Sequence, residues 1–215
     1  MKILALSDEV VPQLQVLELP ERFLDVDLIL SCGDLPFDYL EYVVTRLGKP
    51  LYYVFGNHAP GDCGIICADG SSKHAPEGCS NLHGRVVNHK GLLIGGLEGS
   101  LSYNNAPHQY SQRQMAWLAF RMAPQLWLNK LRYGRALDIL ITHAPPWHIH
   151  DEPDLPHQGF KAFLPFMQRH RPRYLIHGHI HIYRPDTPRC TKYEDTTVIN
   201  AFGYQLLEIE VPNRG

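Results

Sequence analysis

Val26-Asp27-Leu28-Ile29-Leu30-Ser31-Cys32-Gly33-Asp34 runs an apolar segment straight into a glycine and a carboxylate. A short run this rich in Leu, Ile and Val reads as a buried strand. Asp34 then sits where the strand stops. The same punctuation recurs along the chain. Residues 1–6 form a short apolar run that meets Asp8, and residues 51–55 run into Gly56-Asn57-His58. Residues 137–142 run into His143, and a short strand at 174–177 runs into Gly178-His179-Ile180-His181. Between the second and third strands, apolar residues at 37, 40, 43, 44 and 47 make a helical stripe. A strand, a helix and a strand in that order imply parallel pairing with the helix on a sheet face.

The remaining segments fill in a layered α/β chain of mixed sheets. Residues 85–96 read as two strands around Lys90-Gly91, and residues 196–200 and 204–211 as two more; both pairs have the look of hairpins. Residues 111–132 suggest a helix interrupted near Pro124, and residues 159–170 another that Gly159 opens. Residues 59–82 hold Gly, Pro, Cys and Ser without periodicity and read as one long loop. With no repeat and no linker-like tract, the 215 residues read as one domain, 1–215.

Composition narrows the function classes. Lys plus Arg number 20 against 22 Asp plus Glu, a formal charge of −2, so a nucleic-acid partner is not expected. No apolar run is long enough for a membrane span, and the start lacks the core of a signal peptide. With five cysteines, an odd count, the expectation is a reducing cytoplasm. Cys63, Cys67 and Cys79 share the Gly-rich loop; a zinc knot or ordinary loop thiols both fit, since the Cys-x3-Cys spacing is loose and no histidine partner has the usual spacing. The 13 histidines are the compositional oddity.

The residues at the strand ends are Asp8, Asp34, Asn57, His58, His143, His179 and His181. Taken singly, Asp8 or Asn57 fits a turn and Asp34 a helix cap. Together they form an oxygen and imidazole donor set suited to divalent cations, at the sheet edge where open α/β folds bind ligands. Asp34 has two carboxylate oxygens with which to bridge two ions. Two ions about 3.5–4 Å apart clamp the attacking and leaving oxygens of a phosphoryl displacement.

In order, approximate spacing and strand-end placement, Asp8, Gly33-Asp34, Gly56-Asn57-His58, His143 and Gly178-His179-Ile180-His181 resemble the calcineurin-like metallophosphoesterases, and within them the small bacterial-type branch. The resemblance implies a four-layer αββα sandwich of two mixed β-sheets flanked by helices. It implies two divalent metal ions (Mn, Fe, Zn or Ni) and hydrolysis of a small phosphomonoester or phosphodiester by a metal-bridging hydroxide. Carried over, the first ion takes Asp8, Asp34 and His181, and the second Asp34, Asn57, His143 and His179. His58 matches the residue that contacts the phosphoryl group and protonates the leaving oxygen, so His58 and Asp34 are the catalytic candidates. Imidazole suits that role because it titrates near neutrality.

One position departs from the pattern. The family's first motif is Asp-x-His, and this chain reads Asp8-Glu9-Val10. Three outcomes stay open: an extra water at the first ion, a firm second site only, or substitution by Glu9. The departure also keeps a different class in play, a catalytically degenerate relative used as an interaction scaffold; a nuclease is disfavoured by the charge. For substrate contacts the candidates are His150 and His157, in a loop before the expected helix N-terminus, and Asn104, with Tyr103, Asn105 and His108 beside it. His177 is expected to face away from the site. His74, His83, His89 and His170 belong to no constellation and are expected at the surface.

Overall fold

The computed structural model describes residues 1–59, 61, 64–66, 71–184 and 186–211. Two large mixed sheets are stacked between helices. The first has the strand order Gly203–Glu208, Lys2–Ser7, Leu28–Ser31, Leu51–Tyr53, Cys79–Asn81. Its first pair is antiparallel and the others are parallel. The second has the order Cys190–Tyr193, Thr196–Asn200, Tyr174–His177, Ile139–Thr142, Leu92–Leu97, Val86–His89, parallel in the middle and antiparallel at both edges.

The apolar runs are continuous because both faces of each sheet are buried. Along Lys2–Ser7, Ile3 and Ala5 point into the interface between the sheets, where they meet Ile94, Ile139 and Ile176. Leu4 and Leu6 point the other way, onto Tyr39, Leu40 and Val43 of the helix Phe37–Leu47. On the far side, Leu93, Leu140 and Leu175 pack against Met115, Leu126, Phe163 and Met167 of three helices. Strand alternation thus generates three apolar interfaces, and three interfaces require four layers.

Three expectations need correction. Residues 196–211 are not a hairpin: Thr196–Asn200 joins the second sheet, while Gly203–Glu208 crosses to pair with Lys2–Ser7 in the first. The hairpin partner of Thr196–Asn200 is Cys190–Tyr193. The stretch 59–82 is not all loop, because Cys79–Asn81 adds a parallel edge strand beside Leu51–Tyr53. The helix expected at Gly159 begins at Phe163; Gly159 lies before an isolated bridge between Phe160 and Pro146. The helix interruption near Pro124 falls at Met122, between Gln112–Arg121 and Ala123–Tyr133, where proline occupies the first turn of the second helix. No helix among the described residues is long and apolar enough to cross a membrane.

Candidate metal centre

The parallel strands of both sheets end at one edge, and each delivers polar side chains there. Three of these residues leave their strands with left-handed backbones: Asp8 at φ 63°, Asp34 at φ 53° and His179 at φ 67°. Such conformations cost of order 1–3 kcal/mol each and cluster where function overrides local preference. Asp34 does not cap the following helix, whose cap position is Pro36.

Asp34 is the hub. Its Oδ1 accepts the backbone N–H of His58 at 2.9 Å, and its Oδ2 lies 2.7 Å from His58 Nδ1 and 3.2 Å from His143 Nε2. His143 is fully buried, with Nδ1 donating to the Cys32 carbonyl at 2.8 Å. Its Nε2 therefore points at two acceptors, Asp34 Oδ2 and Asn57 Oδ1, the latter at 2.9 Å. The amide of Asn57 is turned that way by its Nδ2, which donates to Tyr103 Oη at 3.2 Å. The ring of the buried His179 lies tilted beside that of His143, with 4.7 Å between centroids. Its Nε2–H donates to the Pro156 carbonyl at 2.8 Å, leaving Nδ1 as a lone pair. Ligand atoms of Asp34, His143 and His179 all lie within 4.8 Å of one another.

This set fits a divalent cation. Both histidines donate one ring N–H to a backbone carbonyl, the arrangement that orients a metal-binding imidazole. The convergent atoms are mostly acceptors. Without a cation, a proton fills the gap on His143: burial alone would lower its pKa, but the charge and hydrogen bond of Asp34, with Asp8, hold it up at about 9. Burial likewise opposes ionisation of Asp34, yet His143 and the two contacts from His58 keep its carboxyl well below the usual range. His179 is pushed down to about 3 by burial and then by the charge of His143, so it stands as a neutral ligand.

The other expected set, Asp8 and His181 with Asp34, is looser. Asp8 Oδ2 accepts the His179 backbone N–H at 2.9 Å, while Oδ1 is 3.8 Å from His181 Nε2. Burial raises the Asp8 pKa above the ordinary value. His181 is half exposed, with Nδ1 2.9 Å from Tyr183 Oη and its ring 4.7 Å from that of Phe202. The His179 ring sits with Asp34 and His143, while the His181 ring lies beside Asp8, so the bend between them places the two imidazoles near different carboxylates. Val10 packs toward the apolar cluster of Leu4 and Leu6 and shares a groove with Phe202 and Tyr204. Glu9 lines that same groove, beside Gly203.

Two glycines allow the strand ends to close up. A side chain at Gly56 would overlap the Asp34 carboxylate, and one at Gly178 would overlap Ser7 Oγ and Asp8 Oδ2. Gly178→Ala is therefore expected to destabilise the chain by about 1–3 kcal/mol through overpacking, read as a lower denaturant midpoint at unchanged slope.

The candidate substrate residues are placed as follows. His157 is half exposed, lies 2.6 Å from Asp154 and faces the His179 ring at 5.2 Å, so it borders the centre. Asn104 is exposed in the loop beside Tyr103, its Oδ1 accepting from the Ala106 N–H. In His150 both ring nitrogens are engaged: Nδ1 is 2.8 Å from His177 Nε2 and Nε2 is 2.8 Å from Thr191 Oγ1. As placed, it has no free nitrogen for substrate. His177 is fully buried and donates Nδ1–H to the Gly178 carbonyl, so His150 must donate to it and accept from Thr191. His177 thus holds the loop that carries His150.

Three of the four histidines expected at the surface are not exposed there: His170 is half-buried, its ring 4.7 Å from that of Phe166. His89 is buried against Tyr52 Oη at 3.2 Å, and His83 lies 3.7 Å from the buried Glu98. Glu98 also binds His108 at 3.0 Å and Tyr110 Oη at 2.6 Å. This network, with the His108 ring against Phe55 at 4.7 Å, supports the strand end that carries Asn57. Of the three loop thiols, Cys63 and Cys67 lie outside the described residues; Cys79 is free.

Buried histidines give the metal-free chain a definite pH response. His177 is held down at about 3 by burial, then by His150, so below about 6.5 the unfolded chain binds protons that the folded chain refuses. Stability then falls with falling pH, at up to about 1.4 kcal/mol per pH unit for each such group. His143 acts oppositely: its stabilisation is complete below 6.5 and is lost as pH rises through about 9. Chemical unfolding in EDTA at pH 4.5, 6.5 and 9.5 should give the highest stability at the middle value, and His177→Leu should flatten the acid limb.

A family model described as calcineurin-like phosphoesterase matches residues 1–183, a span that contains every strand-end residue above. A search of curated proteins finds no match. Among solved structures, TT1561 of Thermus thermophilus is 19% identical with a TM-score of 0.60, over 96% of this chain and 93% of that one. GAP50 of Plasmodium, described as the anchor in the inner membrane complex, is 14% identical with a TM-score of 0.51, over 93% of this chain and 70% of that one. At these identities the likeness is one of fold.

Proposed function

We propose that this chain, which belongs to the calcineurin-like phosphoesterase family, hydrolyses a phosphomonoester or phosphodiester with the help of divalent metal ions. The observation that supports this most is the convergence of Asp34, Asn57, His143 and His179, with His58 hung on the same Asp34 carboxylate. Those four residues would hold one ion. Asp8, Asp34 and His181 would hold a second, with one protein donor fewer because Val10 has none. Mn, Fe, Zn and Ni all suit such donors. Bound ions would supply Lewis acidity and a source of hydroxide near neutral pH.

The protein's own residues do the rest. Asp34 accepts from His58 Nδ1–H, which fixes the ring and leaves Nε2 toward solvent to carry the proton. As the oxygen of water bonds to phosphorus and gives up one proton to solvent, the bond to the leaving oxygen breaks and His58 gives that oxygen its proton. His143 and His179 keep their lone pairs aimed inward through the Cys32 and Pro156 carbonyls. The free thiols of Cys32, Cys79 and Cys190 suit a reducing compartment, and we place the activity in the cytoplasm.

A panel of aryl and alkyl phosphate esters and their diesters, assayed with each of the four metals, tests this reading. Turnover that requires metal supports it; inertness across all metals overturns it. A second reading rests on Val10: a chain that lacks the first-site donor serves as a scaffold without hydrolysis. It predicts no turnover together with no metal acquired on titration.

A further inference from the structure

Beside the centre lies a cavity of about 230 Å³ that opens past Asp34 and His58. It has room for roughly seven waters at about 30 Å³ each. Its walls are apolar and largely aromatic: Phe37, Leu40, Tyr53 and Phe55 line it. Phe55 stands edge-on to Tyr53 at 5.2 Å and tilted to Phe37 at 5.9 Å, so three rings form one continuous wall of the space. Asp34 and His58 make its polar side, toward the strand ends. Ser31 lines the same cavity, is 1% exposed, and its Oγ has no hydrogen-bond partner.

We infer that this cavity receives the leaving-group side of the substrate, and that the leaving alcohol carries an apolar, ring-sized portion. The inference rests on the hydrolytic reading above and names its substrate class. Position assigns the occupant. His58 stands at the cavity mouth, so an ester whose bridging oxygen faces the His58 proton has its alcohol portion directed along the wall that Phe37 and Phe55 form. The phosphoryl group stays among the polar residues of the strand ends. Flat walls and a volume near that of one ring with a short tether fit an arylalkyl alcohol. A sugar phosphate would place several hydroxyls against Phe37, Leu40 and Phe55, where they would lose their hydrogen bonds.

The test compares ethyl phosphate with 2-phenylethyl phosphate, and the two corresponding methyl diesters, because their leaving alcohols differ little in acidity. Burial of one ring is expected to raise kcat/KM about 10- to 100-fold. Leu40→Trp, which fills the cavity, should bring the ratio to within about threefold of one. A second arm does not need turnover: protein-observed NMR of the aromatic side chains, titrated with 2-phenylethylphosphonate or ethylphosphonate, with zinc and again in EDTA. Ring-dependent binding that shifts the signals of Phe37 and Phe55 is the expected result, and the wild-type protein suffices for it if L40W does not fold. Turnover of both esters at similar rates, with no ring-dependent binding, overturns the cavity assignment and leaves hydrolysis intact. Ring-dependent binding with no turnover of any ester overturns hydrolysis and keeps the cavity. Neither turnover nor ring-dependent binding overturns both.

Discussion

Asp34→Asn should abolish turnover, by about 10³-fold or more, while the chain still folds. The carboxylate joins both proposed ion sites and orients His58, so a neutral amide removes charge from each ligand set at once. A loss of several kcal/mol in transition-state stabilisation corresponds to that factor. A merely structural Asp34 would not give the accompanying signature. His143 is held charged chiefly by Asp34 against the cost of burial, so in the metal-free variant its pKa should fall from about 9 toward or below the ordinary histidine value. An NMR titration of the His143 ring reads this directly. Metal titration of the same variant should show at least tenfold weaker binding. If turnover, metal affinity and the His143 titration all stay at wild-type values, Asp34 is not the hub of a metal site.

His58→Gln is expected to behave differently. The His58 side chain is 74% exposed and hangs on Asp34 from outside the buried ligand set. Its removal should leave metal stoichiometry unchanged. Turnover should fall by about 10²–10⁴-fold for alkyl esters, whose leaving oxygen needs a proton, a typical range for loss of a general acid. For p-nitrophenyl esters, whose leaving group departs as a stable anion, the loss should be at least tenfold smaller. Equal losses for both ester types would assign His58 to phosphoryl contact or positioning instead.

Much of this was legible because strand ends announce themselves. Apolar runs that stop abruptly at Asp8, Gly33-Asp34, Gly56-Asn57-His58, His143 and Gly178-His179 describe strands buried on both faces that terminate at a polar edge. The helix spans Phe37–Leu47 as its apolar stripe suggested; Phe37, Leu40 and Val43 are buried, Val44 and Leu47 partly so, and Tyr39 joins the buried face. What stayed hidden was partnership. The period of residues 196–211 shows two strands, but not that the turn at Ala201 and Phe202 carries the chain from one sheet to the other. Cys79–Asn81 is a polar edge strand held by backbone pairing, so no hydrophobic pattern marks it. The Glu98 cluster joins His83, His108 and Tyr110 across loops whose course composition does not encode. The same holds for the left-handed backbones of Asp8, Asp34 and His179: nothing in their local sequence asks for them, and the geometry of the centre supplies the reason.

The acceptor-rich edge formed by Asp34, Asn57, His143 and His179 is proposed as a metal site that drives phosphoester hydrolysis. Titration of the EDTA-stripped chain with Mn²⁺, following bound metal by elemental analysis and turnover of phenyl phosphate and its diester in the same samples, tests it most directly. The account predicts turnover that rises in proportion to occupancy, with at least one tightly bound ion per chain and a second, weaker one at the Asp8 and His181 side. A chain that acquires no metal and stays inert, or one whose turnover is indifferent to metal content, would contradict it.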